Sequence, residues 1–112
     1  MKKIEAIIEP YRLEEVKEAL VKIGVEAMTI TDTKGFVNRT GHTEIYRGAE
    51  FKVDFQPKVK IEIVLTDTQI QAATNVIANA GQTGKIGEEH IFVLPVEDAI
   101  RVRTEDQGKM AV

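Results

Sequence analysis

The spacing of hydrophobic residues changes once within the first quarter of the chain. From Lys2 to Glu9 the apolar residues alternate with polar ones, which predicts a β-strand, and Pro10 ends the run. From Leu13 to Ile23 the apolar residues recur at helical spacing, and Gly24 stands where a C-terminal cap belongs. The chain is therefore expected to begin with a strand and a helix.

Further strands follow from the same kind of pattern. Alternation predicts strands over 27–36, 59–65 and 90–96, and a short last strand over Arg101–Arg103. Between them, Thr66 and Gln69 have the spacing of a capping box at the start of a second helix, which Gly81 closes. The resulting order, βαββαβ, predicts one α+β domain over residues 1–112, a ferredoxin-like sandwich with both helices on one face of an antiparallel sheet.

One long segment, residues 37–57, shows neither period. Loops of this length are uncommon in small domains, which favours a functional arm, although an extended hairpin with its own pairing is an alternative. Its polar residues suit docking to a partner: Arg39, His42, Glu44, Tyr46, Arg47 and Glu50. The polar tail over 104–112 predicts loose, flexible structure.

Composition excludes several classes of function. The 112 residues carry a formal charge of −3, which disfavours nucleic-acid binding. The chain has no cysteine and no apolar run long enough to cross a bilayer, so we expect a cytoplasmic protein that does not insert into membranes. It has no serine, and its two histidines, His42 and His90, are far apart, so neither an enzyme nor a metal site is predicted.

Three features point to an anion. The segment from Gly81 to Gly87 contains three glycines and Lys85, which could cradle an anion through backbone N–H groups, although its spacing is not that of a Walker loop. Arg101 and Arg103 would share one face of the last strand, as would Lys58 and Lys60 of an earlier one. Each feature alone also fits an ordinary turn or a solvated strand face, but together they weakly favour an anion or nucleotide pocket.

The sequence resembles the PII nitrogen regulatory signal-transduction family over nearly its whole length. The matching stretches are 34–36 (KGF), 41–51 (GHTEIYRGAEF), 53–55 (VDF), 57–64 (PKVKIEIV), 83–87 (TGKIG) and 100–104 (IRVRT). The resemblance implies a homotrimer that binds ATP or ADP between subunits. It further implies 2-oxoglutarate beside Mg-ATP in many members, and a long loop that docks onto ammonium transporters or onto metabolic and regulatory enzymes.

The resemblance also assigns roles to individual residues. Thr29, Glu62 and Val64 match positions that hold adenine and ribose, while Gly35 and Gly87 match backbone positions beside the phosphates. Arg101 and Arg103 match phosphate-binding arginines, and Lys58 matches a lysine that pairs with a 2-oxoglutarate carboxylate. The loop tip, where Arg47 matches a residue that enters transporter pores, contains the expected partner-docking residues Tyr46, Arg47, Gly48, Ala49, Glu50 and Phe51.

Several positions depart from the family pattern. Phe51 and Ala49 replace the tyrosine and serine that many members modify, so control by ligands rather than by covalent modification is expected. In the pocket, Val37 replaces a glycine and Arg39 replaces a glutamine that helps to hold Mg, which argues against 2-oxoglutarate binding through Mg-ATP.

Near the phosphates, Glu89 and His90 replace a Gly-Lys pair, which would weaken the binding of polyphosphates. The alternative to a nitrogen regulator is therefore a diverged sensor of ADP or AMP with another small anion, such as bicarbonate, that regulates carbon or other metabolism.

Overall fold

A computed structural model describes residues 1–36, 44–46, 49–51, 55–83 and 89–112, with the backbone alone described for 44–46 and 49–51. Two short 3-10 helices, Pro10–Arg12 and Gly108–Ala111, accompany the main elements. In chain order those are β1 (Lys2–Ile8), α1 (Leu13–Lys22), β2 (Thr29–Gly35), β3 (Glu44–Tyr46), β4 (Ala49–Phe51), β5 (Gln56–Leu65), α2 (Asp67–Gly81) and β6 (His90–Pro95).

Four of the strands form one antiparallel sheet in the order β2-β5-β1-β6. In its middle, Ile4 of β1 lies opposite Ile63 of β5 on one side and Val93 of β6 on the other. The order is that of a ferredoxin-like sandwich, which confirms the predicted α+β fold.

The core lies between one face of this sheet and the two helices. Every second residue is buried there, from Ile4 onward in β1 and from Val59 onward in β5, because successive side chains of a strand point to opposite faces. Val16 and Leu20 of α1 and Ala73 and Ile77 of α2 cover them, and all four are almost completely buried. We call the opposite side of the sheet, which the helices leave uncovered, the open face.

The helix ends predicted at Thr66 and at Gly24 are confirmed. The backbone N–H of Thr66 donates to Oε1 of Gln69 over 3.3 Å, which is the reciprocal half of the capping box. At the end of α1, Gly24 adopts a φ of 95°. Its N–H donates to the carbonyl of Val21, and that of Val25 donates to the carbonyl of Leu20, which together form a Schellman cap.

The predicted last strand is wrong. Arg101–Arg103 lies in a turn in which the N–H of Arg101 donates to the carbonyl of Asp106 and the N–H of Glu105 donates to that of Arg101. Glu105 takes a left-handed φ of 60° and so reverses the chain. The segment therefore satisfies its backbone locally, and its bridge from Ile100 to Gln107 closes the turn rather than extending the sheet.

The other strand boundaries shift by one to three residues. β5 already begins at Gln56, so Gln56 and Pro57, the last two residues of the segment predicted as a loop, belong to the sheet. Within that segment β3 and β4 pair in antiparallel fashion, Tyr46 opposite Ala49 and Glu44 opposite Phe51, as the alternative interpretation of a hairpin required.

Candidate functional site

Three of the predicted ligand-binding residues lie together on the open face. Thr29 of β2 is directly opposite Glu62 of β5, and Val64 is two residues further along the same strand. Thr29 is exposed, whereas Glu62 and Val64 are half-buried. The sheet register therefore brings together the three positions that were assigned to adenine and ribose.

Glu62 is held by two lysines. Nζ of Lys3 lies 2.6 Å from one of its carboxylate oxygens, and Nζ of Lys60 lies 3.5 Å from the other. Lys3 also pairs with Glu5 over 3.1 Å, and Glu5 is directly opposite Glu62 across β1 and β5. One ammonium group thus bridges two carboxylates that would otherwise repel each other.

This arrangement fixes the charge of both partners. The hydrogen bond from Lys3 is the main cause that lowers the pKa of Glu62, and the nearby charges of Lys3 and Lys60 act in the same direction. The hydrogen bonds to Glu62 and Glu5 in turn raise the pKa of Lys3. Glu62 is therefore an ionised hydrogen-bond acceptor, and such an acceptor suits ligand hydroxyl or amino groups.

Gly35 and Lys58 lie near the opposite end of the β2–β5 pair. Lys58 is the one buried charged side chain among the described residues, with 6% of it exposed. A Cβ at Gly35 would come within 3.2 Å of Cγ of Lys58, so the absence of a side chain there leaves room for the lysine stem. Nζ of Lys58 donates to the carboxylate of Glu9, which immediately follows β1.

Glu89 and His90 are at the same end of the sheet as Lys58, but at its other edge. His90 begins β6 opposite Ile7 of β1, and its ring stacks on Phe92 at a centroid distance of 5.7 Å. Glu89 precedes it and is half-buried. Since strands are about 4.8 Å apart, two strand spacings of roughly 10 Å separate β6 from β5.

The two arginines are exposed and leave the sheet from the end that is remote from Lys58. Pro95 ends β6 opposite Lys2, and the N–H of Val96 donates to the carbonyl of Met1. The N–H of Gly108 donates to the carbonyl of Ala99 over 2.9 Å, so the tail beyond the arginines returns to the segment that follows β6. Arg101 and Arg103 therefore belong to the segment that leaves the sheet at the end at which β5 finishes.

The described candidates therefore form two groups at opposite ends of one sheet. Thr29 and Gly35 begin and end the seven residues of β2, so six steps of about 3.3 Å, roughly 20 Å, separate them. The Lys58 group consists of Gly35, Lys58, Glu89 and His90. The Arg101 group consists of Thr29, Glu62, Val64, Arg101 and Arg103.

Other predicted residues lie outside the described part of the chain. For the pocket these are Val37, Arg39 and Gly87, and for the loop tip Arg47 and Gly48. The backbone of the remaining loop-tip residues is described as strand, and their side chains are not: Tyr46, Ala49, Glu50 and Phe51.

Two residues that contact predicted site residues were missed: Lys3, which pairs with Glu62, and Glu9. Glu9 was noted only as the end of the first strand, yet it pairs with Lys58 from 49 positions away. The signal that could have found it is the β1–β5 register, because one residue beyond the pair Ile8 and Val59 it places Glu9 opposite Lys58.

The described residues contain neither a helix that could cross a membrane nor a group of metal ligands. None of their helices is both long enough and apolar enough to cross a membrane. Within residues 1–36, 55–83 and 89–112, no three His, Asp or Glu side chains are grouped so as to hold a metal ion.

Comparison with known proteins identifies the family. Residues 1–106 match the family model described as Nitrogen regulatory protein P-II. The chain belongs to the P-II family. The match covers both groups of candidate residues and the segment between β2 and β5, so this P-II chain contains all the positions named above.

Curated relatives agree with this assignment over their full length. The P-II chain is 54% identical to a protein of Azospirillum brasilense, 56% identical to one of Cereibacter sphaeroides and 55% identical to one of Rhizobium meliloti. Each alignment spans 112 residues and the whole of both chains, and each of these relatives is named Nitrogen regulatory protein P-II.

Proposed function

We propose that this P-II chain is a cytoplasmic regulator of nitrogen metabolism that binds ATP or ADP and has no catalytic role of its own. It acts on partner proteins, ammonium transporters or metabolic and regulatory enzymes, through the loop that contains β3 and β4. Family membership and full-length identity of about 55% to proteins named as nitrogen regulators support this role.

The observation that carries the ligand proposal is the separation of the two groups. Adenine and ribose positions and phosphate-binding arginines lie toward one end of the sheet, while Gly35 and Lys58 lie toward the other. Along the strands Thr29 is roughly 20 Å from Gly35, and Glu62 is roughly 13 Å from Lys58. In a closed ring of identical subunits, the Lys58 group of one copy can meet the Arg101 group of the next, which is the homotrimer that we propose.

In such a composite site different residues would contact the nucleoside, the phosphates and an acidic ligand. Thr29 and the ionised Glu62 accept hydrogen bonds from the nucleoside, and Arg101 and Arg103 neutralise phosphate oxygens from an exposed turn. Lys58 offers a buried ammonium group to an acidic ligand such as 2-oxoglutarate. Magnesium, where it binds, would reduce the repulsion among the phosphate charges.

Calorimetric titration tests the proposal. We expect ATP and ADP to bind the wild-type protein, and the double variant Arg101→Gln/Arg103→Gln to lose about tenfold or more in ATP affinity, since charge-assisted hydrogen bonds are worth roughly 1.5–3 kcal/mol each. Lys109→Gln removes a neighbouring exposed cation of the tail and should leave the affinity within about twofold.

The same titration distinguishes the nitrogen regulator from the alternative, a diverged sensor of ADP or AMP. Binding of AMP or ADP without any heat from 2-oxoglutarate would favour the diverged sensor, for which the half-buried carboxylate of Glu89 in the Lys58 group is the supporting feature. Failure of the wild-type protein to bind any adenine nucleotide would overturn the proposal.

A further inference from the structure

Lys58 is unusual among the charged residues of the described chain because it is buried. An ammonium group that leaves water needs a counter-charge or several hydrogen bonds, since desolvation costs several kcal/mol. The structure gives it the carboxylate of Glu9 as ion-pair partner. The position at which an acidic ligand would meet Lys58 therefore already holds an acid of the same chain.

The backbone of Glu9, which positions this carboxylate, is held by its neighbours in the chain. Glu9 follows β1 in an extended conformation, with φ −67° and ψ 139°, and the proline that follows it, Pro10, restricts it to that region. Its carbonyl accepts a hydrogen bond from the N–H of Arg12 over 3.0 Å. The pairing with Lys58 is thus built into the junction between β1 and α1.

The two partners differ in their access to water. The side chain of Lys58 is 6% exposed and that of Glu9 is 26% exposed. The carboxylate can rotate into solvent about its side-chain bonds while the ammonium group stays where it is. An exchange in which an incoming anion takes the place of the Glu9 carboxylate needs no movement of the sheet.

We propose that Glu9 is an internal competitor for Lys58, which a small ligand with a carboxylate group must displace in order to bind. This inference rests on the proposed function, because that function supplies the acidic ligand, and it adds the residue that sets the ligand's affinity. Glu9 raises the concentration of ligand needed, both by occupying Lys58 and by repelling a second carboxylate nearby. It also keeps the buried lysine paired when no ligand is present.

The direct test is the variant Glu9→Gln, which removes the charge and keeps the shape. With ATP and Mg²⁺ at saturation, calorimetry should show 2-oxoglutarate binding about tenfold or more tightly to Glu9→Gln than to the wild type, because a contacting like charge is gone. Glu14→Gln, which removes an exposed carboxylate paired with Lys17 on α1, is the matched control and should change the affinity by less than about twofold. The gain should disappear in the double variant Glu9→Gln/Lys58→Gln.

Removing the partner of a buried cation can destabilise the fold, so a second variant is needed. Glu9→Asp keeps the charge but shortens the side chain by one methylene, and it should give a smaller gain than Glu9→Gln. Equal affinities for 2-oxoglutarate in the wild type, Glu9→Gln and Glu9→Asp would overturn the inference. So would a gain that survives the double variant.

Failure of the proposed function can be told apart from failure of this inference. Titration with ATP alone reports nucleotide binding independently of Glu9. If no nucleotide binds, inorganic phosphate and 2-oxoglutarate are added separately in thermal unfolding experiments. A steeper rise of Tm with either anion in Glu9→Gln than in the wild type or Glu14→Gln supports the competition, and parallel curves contradict it.

Discussion

Lys3 organises the charges around Glu62 on the open face. Its ammonium group contacts both Glu5 and Glu62, which the register of β1 and β5 places directly opposite each other. Like charges in that position destabilise a sheet pair, and the bridging lysine turns the repulsion into attraction. The same contact decides that Glu62 is ionised, which matters because Glu62 is a proposed ligand contact.

The variant Lys3→Gln should therefore raise the pKa of Glu62 towards its usual value. The hydrogen bond from Lys3 is the first cause of the lowered pKa, and without it the neighbouring Glu5 disfavours the charged form. Titration of the Glu62 carboxyl carbon by NMR measures this directly. Lys17→Gln, which removes the partner of Glu14 on α1, should leave the titration of Glu62 unchanged.

The sign of the accompanying pH effect follows from the direction of this shift. A carboxyl whose pKa is lowered on folding adds stability above its unfolded pKa, about 4.3 for glutamate, and that stability is lost as the pH falls through the folded value. Acid unfolding of Lys3→Gln should hence show a smaller loss of stability below pH 4.3 than the wild type. If Lys3→Gln lost as much stability at low pH as the wild type, Lys3 would not be the cause of the lowered pKa of Glu62.

At the scale of elements, the end of α1 depends on one glycine. Gly24 has a φ of 95°, which L-residues with a Cβ rarely adopt, and nothing lies within 4 Å of the position that a Cβ would occupy. Glycine is therefore required here by the backbone conformation and not by a lack of space. The cap aligns the following segment so that Val25, which is buried, enters the core.

Gly24→Ala should lower the free energy of unfolding by about 1 kcal/mol, because the left-handed conformation costs an L-residue about that much. Urea unfolding followed by circular dichroism measures the change. Gly24→Asn is the matched variant, since asparagine tolerates the left-handed region better, and it should lose less. Equal losses in both variants would show that something other than the backbone angle matters.

Elements whose signals are local could be predicted from the sequence. Alternation in β1 and β5 marks the buried face directly, and the capping residues Thr66 and Gly24 act within one helical turn. Arg101–Arg103 shows the limit of such signals. Its alternation is the same in a strand and in a turn, and only pairing with a neighbouring strand, which none of the described strands provides, distinguishes the two.

At the scale of the whole molecule, the candidate site depended on information that the linear sequence contains only in part. The individual residues could be assigned through the family resemblance, but their distribution over two ends of the sheet follows from the strand order β2-β5-β1-β6. The pairing of Glu9 with Lys58 depends in the same way on the β1–β5 register. Both are properties of long-range pairing, which no local pattern specifies.

A site built from two copies makes a prediction that a site within one chain does not. Arg101→Gln/Arg103→Gln damages one group, and Gly35→Val damages the other, since its side chain would displace Lys58. Each variant alone should bind ATP at least about tenfold more weakly than the wild type, so that none of its sites has wild-type affinity. When equal amounts are unfolded in urea, mixed and refolded, about one quarter of the sites should be restored, because each site draws its two groups independently from neighbouring copies.

Refolding each variant by itself is the control and should restore nothing. Circular dichroism must show that both variants have the wild-type secondary structure, so that loss of binding reflects the altered group alone. If both groups of a site came from the same chain, every site in the mixture would contain one defect, and mixing would restore no binding. Recovery near one quarter therefore requires that the Lys58 group of one subunit and the Arg101 group of its neighbour bind the same nucleotide.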